Sequence, residues 1–390
     1  MLSQLSCILA SLALAIWVYL LVGRGGFWST PKYDDLDPQP AAVSWPAIAV
    51  VVPARNEADS IADCVTSILQ QPYPGALSMV LIDDQSSDAT AELACKAAAS
   101  VDASERLKVL MGRELPSGWT GKMWAVQQGL DYVSNWSAPP QFVLLTDADI
   151  VYSADVVMRL VARAQNKNLA MASIMAKLRC VSFAERFLIP AFIFFFQMIY
   201  PFSWVARGDR TTAAAAGGCI LVRWSALQNI GGISSIRGAL IDDCALGARL
   251  KTQGPVWLGF SHHVRSVRPS DRIEQVARMI SRSAFAQLRY SFTILIGVIA
   301  AMVLVFIVPV AFTFFGYGIS CVFAGLSWLL MALAFQPTLR YYRQSPFWGL
   351  ALPAIASAYM VFTINSAYQH FRGRGGLWKG RVQAQVSRSQ

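Results

Sequence analysis

The sequence predicts an α/β domain built on a parallel sheet and joined to membrane-spanning helices. Three observations carry this. Short β-branched runs alternate with helix-spaced segments between Pro46 and Leu178, and that alternation is the signature of a parallel α/β sheet. Charge is absent in blocks: residues 1–23, 187–206, 290–339 and 344–371 hold no Asp, Glu, Lys or Arg. The whole chain is 14% charged and 55% hydrophobic, against about 25% charged in soluble proteins, so a soluble domain alone is excluded. Finally, polar residues cluster where the predicted strands end.

Leu5–Val22 is long and apolar enough to span a bilayer. A cleaved signal peptide is the alternative, but no positive charge precedes the apolar run and Arg24 follows it. An uncleaved anchor over 1–23 is therefore expected, with a linker over 24–45. Ile48–Val52 then reads as a strand buried on both faces. Ile61, Cys64, Val65, Ile68 and Leu69 follow helical spacing. Met79–Ile82 is the next strand, ending at Asp83–Asp84. Residues 89–99 form an Ala-rich helix, and Leu107–Met111 a third strand. Gly121–Val133 is helical. Phe142–Leu145 is a strand that runs into Thr146–Asp147–Ala148–Asp149, and residues 154–165 are helical again.

The aromatic stretch Phe187–Val205 contains Pro190 and Pro201 and is flanked by Arg186 and Arg207. That composition suits a helix in the membrane interface, with a core helix or a span as alternatives. Phe292–Phe335 is too long for one crossing and reads as two helices turning near Gly316–Tyr317–Gly318. Phe347–Tyr368 is a weaker third candidate, interrupted by Pro353 and Asn365. Residues 249–290 carry eight basic and two acidic side chains, and 371–390 carry five basic and no acidic ones. Basic clusters beside apolar blocks mark cytoplasmic loops facing anionic lipid, so nucleic acid is not an expected partner. With three crossings after the domain, the basic tail would fall on the wrong side. Seven scattered Cys and three His support neither a disulfide framework nor a His-based metal site.

The polar strand ends are Arg55–Asn56–Glu57, Asp83–Asp84 and Asp147–Asp149. Ligands of parallel sheets bind beyond the carboxyl ends of strands. No G-x-G-x-x-G follows a strand and no G-x-x-x-x-G-K-[ST] occurs, so the glycine-cradle motifs are missing. Acidic strand ends point instead to a cation and a nucleotide. Asp147 and Asp149 form a D-x-D; on an extended segment both would project to one side, as hard donors for Mg²⁺ or Mn²⁺. Lys122 falls at a predicted helix start, where the helix dipole disfavours a cation.

These motifs resemble the membrane-bound family 2 glycosyltransferases. The likeness spans about Ala47 to Tyr290 through VVPARNE (51–57), LIDDQSSDAT (81–90), GWTGKMWA (118–125), TDADI (146–150) and GALIDDCALGARLK (238–251). GRGGLWKGR (373–381) recurs in lipid-acting relatives. The chain is most similar to the hopanoid-associated glycosyltransferases, with ceramide glucosyltransferases further off. The resemblance implies a GT-A fold: a Rossmann-like, nucleotide-sugar-binding mixed sheet over 46–290, an interfacial helix near 187–205, a transmembrane region of two or three helices over 291–370, and a basic cytoplasmic tail over 371–390.

It also implies roles. Pro53, Ala54, Arg55, Asn56 and Glu57 would hold base and ribose, although Asn56 is also a candidate helix cap. Asp84 would accept from base or ribose, and its alternative duty of capping the SSDAT turn can fall to Asp88. Lys122 and Asp147 would contact the donor. Asp149, then Asp147, would ligate a divalent cation. The family carries Glu-Asp where this chain has Asp242–Asp243, so the general-base role is carried to Asp243. The family's Q/R-x-x-R-W is absent: Gln275-Val-Ala-Arg278 is followed by Met279, and Arg289 by Tyr290. Lack of that Trp argues against a processive polysaccharide synthase. Arg282 and Arg289 are the candidates to stabilise a departing diphosphate, with phospholipid contact as the alternative.

The expected activity is transfer of a sugar from a nucleotide-sugar, a UDP-sugar foremost, to a lipid hydroxyl, with inversion. The expected location is the inner membrane, multi-pass, with the catalytic domain cytoplasmic. A catalytically idle, membrane-anchored nucleotide-binding protein is the alternative outside the enzymes. A transporter would need more spans and intramembrane charge.

Overall fold

In the computed structural model the β-branched runs line up as the centre of an eight-stranded sheet. The structure describes residues 2–29, 44–153, 155–379 and 381–382. Most of the expected linker and the end of the basic tail, 383–390, lie outside the described residues. Contacts divide the chain into two units. A sheet unit comprises Pro31–Arg179, Trp204–Pro269 and Gly376–Gln390, and a helical unit comprises Met1–Thr30, Cys180–Ser203 and Ser270–Gly375.

The sheet unit contains β1 (Ile48–Ala54), β2 (Leu77–Asp83), β3 (Leu107–Met111), β4 (Phe142–Leu145), β5 (Ile150–Tyr152), β6 (Met171–Lys177), β7 (Ile220–Arg223) and β8 (Val256–Ser266). Their order is β3-β2-β1-β4-β7-β6-β8-β5. The first four run parallel, as the alternation predicts. Beyond β4 the expectation of an all-parallel sheet gives way to a mixed one, as the family resemblance implies. β7 is antiparallel to both β4 and β6, and β5 is antiparallel to β8. The reason lies in the connection: more than forty residues separate β6 from β7, so no short crossover helix forces a parallel return.

All seven residues of β1 are buried, as the near-continuous apolar run requires. Ile61, Cys64, Val65, Ile68 and Leu69 of helix Ile61–Leu69 pack against Ile48, Val50 and Val52. Helix Gly121–Ser134 packs against β1 and β2. A Cβ at Gly129 would lie 2.6 Å from both Ile82 Cδ1 and Val51 Cγ1, so the missing side chain is what lets this helix press onto the sheet.

In the helical unit, Leu2–Gly23 is one helix, and the long apolar block forms Phe292–Phe315 and Ile319–Tyr341 with the break at the expected glycines. The first segment of this pair changes to a π turn at Val303–Ile307. There the fully buried Trp17 donates its indole N–H to Val305 O at 2.9 Å and meets Phe306 edge-on. Phe183–Ile199 opens with a capping box between Ser182 and Glu185. It buries Leu188, Ile189, Ile193 and Phe194 and accepts a hydrogen bond from Tyr359 at Leu188 O. Among the described residues four helices are long and apolar enough to cross a membrane: Ser3–Gly23, Phe183–Val205, Phe292–Phe315 and Ile319–Tyr341. Helix Leu352–Phe371 is not one of them.

Candidate active site

β1, β2 and β4 end together because they run parallel and in register, which brings their polar termini to one edge. At the end of β2, Asp84 is fully buried, and its backbone N–H donates to Ala54 O at 2.8 Å. Arg55 Nη1 donates to Asp84 O at 2.5 Å and lies 3.8 Å from its carboxylate. The turn after β2 is secured by its neighbours. Asp83 accepts from Ser86 N–H, and Asp88 accepts from Ala58 and Thr90 N–H. Asp83 and Asp88 thus cap this turn, Asp88 in the role the sequence allows it.

Asn56 takes a left-handed φ of 51°, which asparagine tolerates. Its side-chain oxygen accepts from Ser87 N–H at 2.8 Å, so it ties β1 to the β2 turn. The alternative, capping of helix Ile61–Leu69, is not what the Asn56 side chain does; the N-cap residue is Ser60. Glu57 is buried, and its Oε1 lies 2.6 Å from Arg268 Nη2 and 3.0 Å from Lys379 Nζ.

After β4, residues 148–149 form a turn instead of an extended segment, so the expected same-side projection of the two D-x-D carboxylates is replaced by a division of labour. Asp147 Oδ1 pairs with Lys122 Nζ at 2.9 Å. Asp149 Oδ2 accepts from Ser266 Oγ at 2.6 Å and Arg268 Nε at 3.3 Å.

A cleft is lined by Pro53, Lys122, Thr146, Asp147, Gly217, Asp242 and Asp243, with Ile220, Ile233, Ile236 and Leu246 as apolar walls. Asp242 and Asp243 open helix Asp242–Leu250, where the N-terminal dipole favours negative charge. Asp243 Oδ2 accepts from Gly217 N–H at 3.0 Å, and Oδ1 from Cys244 N–H at 2.8 Å. Burial, and next the charge of Asp242, push its carboxyl up to about 6, against the opposing pull of Lys122. Lys122 also reaches Asp242 Oδ2 at 3.1 Å. Burial works against its ammonium, but Asp147, Asp242 and Asp243 outweigh that and hold its pKa above the ordinary lysine range. The dipole conflict at Lys122 is thus offset by three carboxylates, and the alternative of a solvated lysine is overturned. A Cβ on Gly217 would sit 3.3 Å from Lys122 Nζ and 3.5 Å from Asp243 Oδ2, so this glycine leaves room for the charged pair.

Sequence reasoning missed Arg268, Ser266, Gly217 and Lys379. Arg268 was hidden in a basic stretch read as membrane-facing; its signal was its place two residues past the long alternating strand β8. Arg282 and Arg289 belong to the helical unit. The first follows helix Ile273–Ser281 as its C-cap, and the second has a left-handed φ of 53°. Among the described residues no three His, Cys, Asp or Glu side chains converge as a metal cage. The two carboxylates of the D-x-D are hard oxygen donors, each balanced by a protein cation. That donor set fits a divalent ion whose remaining ligands are phosphate oxygens and water.

A family model described as "Glycosyltransferase like family 2" matches residues 46–286. Among curated relatives, undecaprenyl-phosphate 4-deoxy-4-formamido-L-arabinose transferase of Salmonella choleraesuis is 31% identical over 119 residues, which is 30% of this chain and 33% of the relative. The chain thus spans only about a third of the length of the curated relatives it matches. Among solved structures, mannosyltransferase PcManGT from Pyrobaculum calidifontis, in complex with GDP-Man and Mn²⁺, superposes with a TM-score of 0.57 at 17% identity, over 95% of this chain and 99% of that one. At that identity the likeness is one of fold.

Proposed function

Because this chain belongs to the glycosyltransferase-like family 2 and is accordingly an enzyme that takes sugar from a nucleotide-sugar, we propose that it glycosylates the hydroxyl of a membrane lipid, with Asp243 as general base. The observation that carries this is Asp243 itself. It sits in the cleft beyond the strand ends, held by two backbone N–H groups and pushed up to about 6. A base poised just below neutral pH is ionised in use yet basic enough to accept a proton.

Asp243 removes the acceptor proton as the hydroxyl oxygen attacks the anomeric carbon. Lys122, balanced by Asp147 and Asp242, keeps the carboxylates in place and presents positive charge to the donor. Arg55, Asn56, Glu57 and Asp84 form the nucleotide end of the site. Asp149 and Asp147 would hold Mg²⁺ or Mn²⁺, which when bound supplies positive charge to the diphosphate leaving group. The Mn²⁺ in the PcManGT complex supports this assignment. A single base without a covalent intermediate gives inversion at the anomeric carbon, by analogy with glycosidases.

The lipid acceptor is supported by the helices apolar enough to span a membrane and by the undecaprenyl-phosphate in the relative's name. The polycyclic hopanoid class is the first acceptor to try, with UDP-sugars as donors. The basic stretches at 249–290 and 371–390 favour a cytoplasmic catalytic face at the inner membrane. Arg282 and Arg289 remain the proposed arginines for the diphosphate or the lipid phosphate.

In detergent-solubilised protein, Asp243→Asn is expected to lower kcat by about 10²- to 10⁴-fold. Unchanged transfer would remove Asp243 from the mechanism. Single sugar additions in the products distinguish a lipid transferase from a polymerising synthase. Mass spectrometry of lipids from cells with and without the protein identifies the acceptor.

A further inference from the structure

The motif GRGGLWKGR (373–381) has no part in the chemistry above, and its lysine does not behave as a membrane-facing charge. Lys379 lies between the paired short strands Leu377–Trp378 and Arg381–Val382. Its φ of 46° is left-handed, uncommon for a lysine. Its ammonium is 3.0 Å from Glu57 Oε1 and donates to Asn56 O at 2.9 Å. Its carbonyl oxygen accepts from Arg55 Nε at 3.4 Å. Arg55, Asn56 and Glu57 therefore all bond to one residue more than three hundred positions away. Only 23% of the Lys379 side chain is exposed, whereas a lysine facing lipid headgroups keeps its ammonium in water.

We propose that Lys379 is a binding residue of the nucleotide-sugar site. Its ammonium fixes Asn56 and Glu57 in place and reaches an oxygen of the nucleoside diphosphate. An ammonium carries three donors, and Glu57 and Asn56 take two of them. A compact cation on a flexible stem suits a phosphate oxygen. Glu57 also pairs with Arg268, so it makes no claim on the third donor of Lys379. The inference rests on the proposed nucleotide end of the site.

The test uses the full chain in detergent, with UDP and Mn²⁺ as the titrated probe. Lys379→Ala is expected to raise the Kd for UDP and the KM for the nucleotide-sugar about tenfold, with kcat held within about twofold. Lys379→Arg, which keeps the charge, should recover most of the affinity. Hydrogen exchange in wild type should slow on UDP addition at the amides of 376–379. Wild type that binds UDP as tightly as Lys379→Ala overturns the role of Lys379 alone. Equal losses in the Ala and Arg variants with a lowered Tm mark a structural residue and also overturn it. Wild type that binds neither UDP nor GDP overturns the donor reading, and this inference with it.

Discussion

At Asp243, burial and charge pull in opposite directions. The protein interior and Asp242 favour the neutral acid, while Lys122 and two N–H donors favour the carboxylate; burial wins, and the folded value rises from 3.8 to about 6. Two consequences follow with defined signs. Transfer needs the carboxylate, so kcat/KM should fall as pH drops through about 6, and a profile lacking this acid limb would count against the base. Ionising a group whose folded pKa is raised opposes folding. The opposition is absent below 3.8, grows between 3.8 and about 6, and is full above it. Asp243→Asn should therefore be more stable than wild type by about 1–2 kcal/mol at pH 7.5. Thermal melts should show that gap closing near pH 4; a gap of equal size at both pH values would show that burial does not load this carboxyl. Asp243 and Lys122 were legible as charges in an apolar and a dipole-opposed setting, and Asp147 as one of two carboxylates just past a buried strand. Arg268 was not, because one arginine among eight basic residues carries no mark until its partners fold against it.

At the scale of elements, the strands from β1 to β4 were legible because a strand covered on both faces must be a continuous apolar run. β6, β7 and β8 assemble by pairing with partners far along the chain, and their direction has no local signal. One helix start does carry such a signal, Ser182-x-x-Glu185. The fully buried Glu185 accepts from Val181, Ser182 and Ser270 N–H at 2.8–3.0 Å. Hydrogen bonds to a charged acceptor are strong, and their loss leaves buried donors unpaired. Glu185→Ala should destabilise the helical unit by at least about 2 kcal/mol, and Glu185→Gln by less. A thermal midpoint unmoved by the Ala change would refute the capping role.

For the whole molecule, chain pairing constrains which helices cross the membrane. β6 and β7 pair in one sheet, so the single apolar helix between them, Phe183–Val205, cannot cross and leave both strands on one side. That leaves the interfacial and core placements weighed from the sequence. Arg268 and Lys379 share Glu57, so an even number of the helices between them must cross. Of Phe292–Phe315, Ile319–Tyr341 and Leu352–Phe371, the last is long enough but not apolar enough to span. The prediction is three crossings in all, with the tail on the catalytic side, which removes the conflict posed by its basic charge. A membrane-impermeant maleimide should reach the exposed Cys95 and a C-terminal tag only in inside-out vesicles. Labelling on opposite sides would sink this topology.

From composition and period alone come the division into charged and apolar blocks, the four parallel strands, and their acidic ends. These are local properties: burial dictates residue type at each position. Tertiary structure alone decided which charges answer one another: Lys122 with Asp147 and Asp242, Arg268 with Asp149 and Glu57, Lys379 with Glu57. Ion pairs depend on separation in space, through a Coulomb energy that falls with distance. Separation along the chain says nothing about that until the mixed sheet closes.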